Sequence, residues 1–179
     1  IRAGLPSGDA VRDALTRALG LRAGGAPSAK MDATLGGGNF MGQGCYTVSM
    51  ARFLLGEPRA VVNATMREGT PGGGADVTTE ALLAFDGGAT ATLSSSALSV
   101  GFDLHAECEH GSVTVRNYLF PFLYHHVYVA PRGAPPRYEQ HYAGGETTFE
   151  LQLQAFVAAV RRGATYETTA ADAEANMRV

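Results

Sequence analysis

Residues 35–56 read Leu-Gly-Gly-Gly-Asn-Phe-Met-Gly-Gln-Gly-Cys-Tyr-Thr-Val-Ser-Met-Ala-Arg-Phe-Leu-Leu-Gly. A triple-glycine turn runs directly into an amphipathic helix that ends at Leu55-Gly56-Glu57-Pro58. Phe40, Gly44, Val48, Ala51 and Leu55 recur at spacings of three and four, which predicts one apolar stripe. The residue before a proline avoids the helical region, so Gly56-Glu57-Pro58 stops the helix. Gly42 and Gly44 each cost a helix about 1 kcal/mol relative to alanine. Two of them in the first turns imply close approach, either of a packed element or of a ligand.

Working outward, residues 1–28 are the least regular. They hold one short helix pattern, Val11 to Leu19, and a loop at Ala23 to Ser28. Beyond Pro58 the period changes from helical to two. Ala60 to Met66 reads as a strand, followed by a glycine-rich loop. Asp76 to Phe85 and Ala89 to Ser95 flank Asp86-Gly87-Gly88, a hairpin signal. Val77, Thr79, Ala81, Leu83 and Phe85 share one face of that hairpin with Ala89, Ala91 and Leu93; Thr78, Glu80, Thr90, Thr92 and Ser94 take the other. Leu104, Ala106 and Cys108 lead to a second turn at His110-Gly111 and return through Val113 and Val115. Tyr124 to Val129 and Arg137 to Tyr142 are further strands. Thr147-Thr148-Phe149-Glu150 is a capping box opening a helix with Phe149, Leu153, Phe156, Val157 and Val160 on one face. A last helix follows Thr169. The order of helix, about six strands and two helices predicts an α+β fold: an open-faced, mainly antiparallel sheet with helices packed on one face. Its polar face is either solvated or covered by a second copy.

At 179 residues, 45% hydrophobic and 17% charged, the chain has the composition of one globular domain. A net charge of −3 with scattered arginines argues against a nucleic-acid surface. No apolar run approaches the roughly 18 residues needed to cross a bilayer. The first residues do not read as a signal peptide, so the cytoplasm is the expected compartment. Cys45 and Cys108 make neither a disulfide framework nor a zinc pattern, and both are expected to be small buried residues.

The opening stretch resembles the start of the C-terminal domain of the Gfo/Idh/MocA oxidoreductases, nearest the dihydrodiol dehydrogenase and glucose–fructose oxidoreductase branch. Gly36, Gly37, Gly38, Gly44 and Tyr46 match the family pattern, and Gly42 stands where the family carries Asp. The likeness continues through Asp76-Val77-Thr78-Thr79-Glu80, Glu109-His110-Gly111-Ser112-Val113 and Asp172-Ala173-Glu174-Ala175-Asn176-Met177, so it spans residues 29–179. It implies that 1–179 is a single C-terminal domain whose N-terminal Rossmann half, with its NAD or NADP, is absent. This chain alone is then expected to bind no cofactor and to turn over no substrate. Neither a Gly-x-Gly-x-x-Gly turn nor a Walker loop is completed at residues 36–44. The family's catalytic lysine lies in a Glu-Lys-Pro motif of the missing half, whereas Lys30 here sits in Ala29-Lys30-Met31.

Tyr46 aligns with the residue those branches place beside the nicotinamide, and the resemblance makes it the catalytic candidate. A tyrosine relays an alcohol proton when a neighbouring cation assists. Asn39 and Gln43, near the helix start, can hydrogen-bond substrate hydroxyls. No metal site is expected: His125 and His126 are adjacent on a strand and point to opposite faces, and His105, His110 and His141 lack ligand spacing. Glu107 and Glu109 share a strand face and read as a solvated edge.

Three functions fit these residues. The first is the substrate-binding and oligomerisation domain of an NAD(P)-dependent oxidoreductase acting on a sugar, polyol or related hydroxy compound. The second is a non-catalytic, self-associating module derived from that family. The third is an unrelated α+β binding domain whose glycine turn only serves packing.

Overall fold

The computed structural model describes residues 29–69, 73–99, 101–142, 144–166 and 168–179. The helix expected at Val11 to Leu19 and the loop after it lie outside these residues. Contacts gather the chain into two compact units, Ile1–Leu98 with Asn176–Val179, and Ser99–Ala175.

In the first unit, a π-helical turn at Phe40–Gly44 continues into helix α1, Cys45–Leu55. Strands β1 (Ala60–Glu68), β2 (Asp76–Ala84) and β3 (Thr90–Ser96) then form an antiparallel sheet in that order. The β2–β3 ladder runs unbroken from Thr78↔Ser96 to Ala84↔Thr90. Its turn at Asp86–Gly88 closes with Phe85 N–H donating to the Ala89 carbonyl at 2.9 Å. The expected alternation holds: Thr79, Ala81, Leu83, Phe85 and Leu93 are buried, while Glu80, Thr90, Thr92 and Ser94 are exposed. Val48 and Ala51 of α1 close the core over this face, with Phe40, Ala89, Ala91 and Val179 packed around them. Leu55, the last residue of the expected stripe, is exposed. Arg52 grips Glu57 through three contacts of 2.7–3.2 Å and donates to Asn176 Oδ1 at 3.3 Å. Asn176 in turn donates to the Cys45 carbonyl at 3.1 Å, tying the chain's last residues to α1.

The second unit holds β4 (Leu104–Cys108), β5 (Gly111–Arg116), β6 (Tyr124–Pro131) and β7 (Arg137–Tyr142), again antiparallel and in sequence order. The strands thus form two ladders of three and four, with the change between β3 and β4. Asn117 makes the β5–β6 turn possible. It adopts a left-handed φ of 57° and is buried, its amide donating to the Phe120 and Tyr124 carbonyls at 2.9 and 2.7 Å. Cys108 is exposed at the end of β4, and Cys45 is only half-buried, so the expectation that both are buried fails. Cys108 ends the edge strand β4 beside an exposed turn.

Helix α2, Thr148–Arg162, opens with the expected capping box. Glu150 N–H donates to Thr147 Oγ1 at 3.2 Å, and the Glu150 carboxylate accepts from Thr147 N–H at 2.6 Å. Its apolar stripe is exposed throughout, with Phe149, Leu153, Phe156, Val157 and Val160 on the surface. Helix α3 is Ala170–Met177. The Thr147 backbone bond, then its hydroxyl, holds the Glu150 carboxyl below the usual carboxylate range. A depressed folded-state pKa contributes stability that is present above the unfolded pKa and lost as pH falls through the folded one. Circular dichroism should therefore show helix content falling on acidification, and Glu150→Gln should make that fall smaller.

Candidate functional site

The glycine turn is built from the backbone outward. Asp32 caps a single helical turn, Ala33–Leu35, by accepting from Thr34 N–H at 2.9 Å. Those bonds from Thr34, first from its side chain and then its backbone, lower the Asp32 pKa. Gly36 adopts a left-handed φ of 72°, and the amides of Gly37 and Gly38 fold back on the Asp32 and Lys30 carbonyls, both at 2.8 Å. A Cβ on Gly37 would come within 2.7 Å of those backbone atoms. At Gly38, with φ of 154°, a Cβ would run into the Asp76 carboxylate.

Asp76 is the residue that sequence reasoning missed. It lies 5% exposed at the start of β2. Both carboxylate oxygens accept from Phe40 N–H, at 2.9 and 3.1 Å, and Oδ2 also accepts from the Thr79 hydroxyl at 2.7 Å. A carboxylate at a helix start satisfies an orphan N–H and complements the helix dipole. Asp76 therefore latches the start of the π-turn that leads into α1 to the sheet. The signal in the sequence was an acid at the head of an otherwise apolar-faced strand, but its partner lies 36 residues away. Asp76→Ala would leave a buried N–H and hydroxyl without an acceptor, at a cost of about 1–3 kcal/mol. Denaturant unfolding should register that loss, with Asp76→Asn less affected.

The helix expected from residue 39 starts with five residues of π-turn. Gly44 allows it, because a Cβ there would strike the Phe40 ring. π-turns inserted in α-helices are frequent at functional sites. Of the three predicted site residues, Asn39 is 5% exposed and donates through Nδ2 to Ser95 Oγ at 2.6 Å, so its amide faces the sheet. Gln43 is half-exposed within the π-turn. Tyr46 is 45% exposed on α1, and among the described residues no group hydrogen-bonds its hydroxyl. Gln43 and Tyr46 thus stand on the open side of the helix start, and Asn39 on the packed side.

Every strand pair among the described residues is antiparallel. A dinucleotide fold needs parallel strands joined by a crossover helix, with phosphates at the helix start. The described residues therefore contain no Rossmann-type dinucleotide fold.

The histidines form a second polar cluster, in the second unit. His125 and His141, directly opposite in the β6–β7 ladder, stack with ring centroids 4.5 Å apart. With Pro121, Gln140, Tyr142 and Gly144 they line a cavity of about 420 Å³. His126 points to the other face, between the hydroxyls of Tyr138 and Tyr142, each at 3.1 Å. Among the described residues no three His, Cys, Asp or Glu side chains converge on a metal site.

Comparison with known proteins places this architecture. Over 72 residues the chain is 42% identical to D-xylose 1-dehydrogenase (NADP(+)) 2 of Haloferax volcanii, covering 40% of this chain and 22% of that protein. The crystal structure of aldose-aldose oxidoreductase from Caulobacter crescentus, complexed with glycerol, superposes with a TM-score of 0.75 at 21% identity, over 87% of this chain and 47% of that one. A levoglucosan dehydrogenase in complex with NADH and levoglucosan gives 0.64 at 16% identity, over 83% and 47%. At these identities the structural likenesses are likenesses of fold. The chain spans about half or less of the length of each of these relatives. The profile of the GFO/IDH/MocA C-terminal domain matches residues 13–114. With a match over more than half its length, the chain belongs to the GFO/IDH/MocA C-terminal domain family.

Proposed function

We propose that this chain is the substrate-binding and oligomerisation half of an NAD(P)-dependent oxidoreductase acting on a sugar, polyol or related hydroxy compound. It would work together with a Rossmann domain that holds the cofactor, and be inactive without it. The observation that carries this reading is the helix start. It is latched by Asp76 and leaves Tyr46 exposed, its hydroxyl without a hydrogen-bond partner among the described residues. The xylose, aldose and levoglucosan enzymes among its relatives favour a sugar-like substrate.

In this reading Tyr46 meets the substrate hydroxyl and carries its proton, which a phenol does efficiently only beside a cation. The Rossmann half would supply that cation along with the oxidising nicotinamide. Gln43 donates to or accepts from a neighbouring substrate hydroxyl. Asn39 contributes by fixing the turn through Ser95, and reaches substrate only with its remaining valences. The proposal assigns self-association to the polar sheet face that Glu80, Thr90, Thr92 and Ser94 leave exposed. It places the protein in the cytoplasm, a compartment in which free thiols such as Cys45 and Cys108 persist.

Gly42 favours one second reading. A carboxylate is missing where the family carries one, as expected of a self-associating module that has lost its chemistry. Assaying the full-length protein with a panel of aldoses and polyols, with NAD and NADP in turn, separates the two. Cofactor-dependent turnover supports the enzyme, and none with a folded protein supports the module.

A further inference from the structure

The π-turn ahead of Tyr46 is held at both ends by side chains from distant parts of the sequence. At its start, the Asp76 carboxylate accepts from Phe40 N–H. Where it passes into α1, two carbonyls take side-chain donors. Gly44 accepts from the Thr47 hydroxyl at 2.7 Å, and Cys45 accepts from Asn176 Nδ2 at 3.1 Å. Asn176 belongs to α3, 131 residues further along the chain. Its amide has one possible orientation here. A guanidinium donates and never accepts, so the amide oxygen faces Arg52 Nη1, 3.3 Å away, and the nitrogen faces the carbonyl. Cys45 and Arg52 are the first and eighth residues of α1, so they lie two turns apart on one helix face. Asn176 therefore staples α1 at two points. Arg52, its side chain 8% exposed, is itself fixed by Glu57.

We infer that Asn176 is a positioning residue for Tyr46: its bond to the Cys45 carbonyl fixes the direction in which the phenol leaves α1. That carbonyl and the Tyr46 N–H belong to one planar peptide unit, so holding the first sets the second. Between the two anchors lie Gly42, Gly44 and a turn whose i→i+5 pattern is one residue out of step with an α-helix. A slip of one residue there would rotate the side chains that follow by about 100°. The Asp76 bond cannot prevent this, because it lies before the turn. Asn176 holds the first residue after it. This rests on the function proposed above and adds to it a residue that acts on the reaction only through Tyr46.

Kinetics of the full-length, cofactor-bound protein test this, with Asn176→Ala and Asn176→Asp as variants. Aspartate keeps an oxygen toward Arg52 and loses only the donor to the Cys45 carbonyl. Both should lower kcat by about ten-fold or more, as small displacements of a reacting group do, and leave KM within about two-fold. In a Tyr46→Phe background, measured with enzyme in excess to resolve slow turnover, Asn176→Ala should lower the rate no further. A general role in the fold would give the same loss in both backgrounds, and that result would overturn the inference. Full activity of Asn176→Asp would also overturn it, by showing that the Arg52 contact suffices. If the alanine variant does not fold, the aspartate variant carries the test. Failure of both to fold would overturn the inference by making the contact an element of stability. Wild-type protein without turnover on any aldose or polyol, with either cofactor, would remove the proposed function and this inference together. An active wild type with unmoved Asn176 variants removes the inference alone.

Discussion

Tyr46→Phe should lower kcat of the full-length, cofactor-bound protein by about 10²- to 10⁴-fold, the range a positioned acid–base group contributes. The substitution removes one oxygen from a side chain that is 45% exposed and hydrogen-bonds no described residue. The fold therefore loses nothing, and the melting temperature should stay within error of the parent. That separation makes the result diagnostic. Fixing the helix start by way of Asp76 and Ser95 keeps the phenol at one height relative to the sheet, so the neighbouring contacts survive. Steady-state kinetics with KM and kcat resolved would check it. A kcat unchanged by the loss of the hydroxyl would take Tyr46 out of the chemistry.

Phe85→Ala should be the most damaging single truncation for stability among the described residues. Phe85 is 2% exposed and Leu83 0%, and they are the two largest fully buried side chains. Leu83 on β2 and Phe85, the residue just after that strand, both sit in the core that Val48 and Ala51 of α1 complete. Removing a buried phenylalanine typically costs about 3–5 kcal/mol, because lost transfer energy and an unfilled cavity add. Against a domain stability of roughly 5–15 kcal/mol this is a large fraction. Phe53→Ala is the matched control: it removes the same atoms from a helix position that is 81% exposed. It should change stability by no more than about 0.5 kcal/mol. Denaturant midpoints for the pair would show whether the core lies where the structure puts it.

Local rules carried most of the fold. The alternation from Val77 to Phe85, the Asp86-Gly87-Gly88 hairpin and the Thr147–Glu150 capping box all appear where residue spacing predicts them. Strand β7 begins and ends at the expected residues, Arg137 and Tyr142. Each of these signals is read within a few residues of itself. What stayed hidden depends on distant partners. The Asp76 latch joins positions 36 residues apart, and nothing in the spacing around Asp76 names Phe40. The split of the strands into two ladders is a property of pairing between β3 and β4, which alternation within a strand does not encode. The His125–His141 stack needs the β6–β7 register, and the exposure of Cys108 depends on what covers the sheet's rim. At the site, the residue types at 39, 43 and 46 were legible, but which of them turns inward was not. Asn39 and Tyr46 both follow the glycine turn closely. Only the contact with Ser95 shows that Asn39 serves the packed side.

The central claim is that these residues present a sugar-like alcohol to oxidising chemistry held by another domain. Measuring NAD(P)-linked aldose oxidation by the 179-residue chain alone, and by the same chain joined to the proposed Rossmann domain, tests it most directly. The account predicts turnover from the joined protein and none from the isolated chain. Turnover by the isolated chain, or a folded joined protein that oxidises no aldose or polyol with either cofactor, would contradict it.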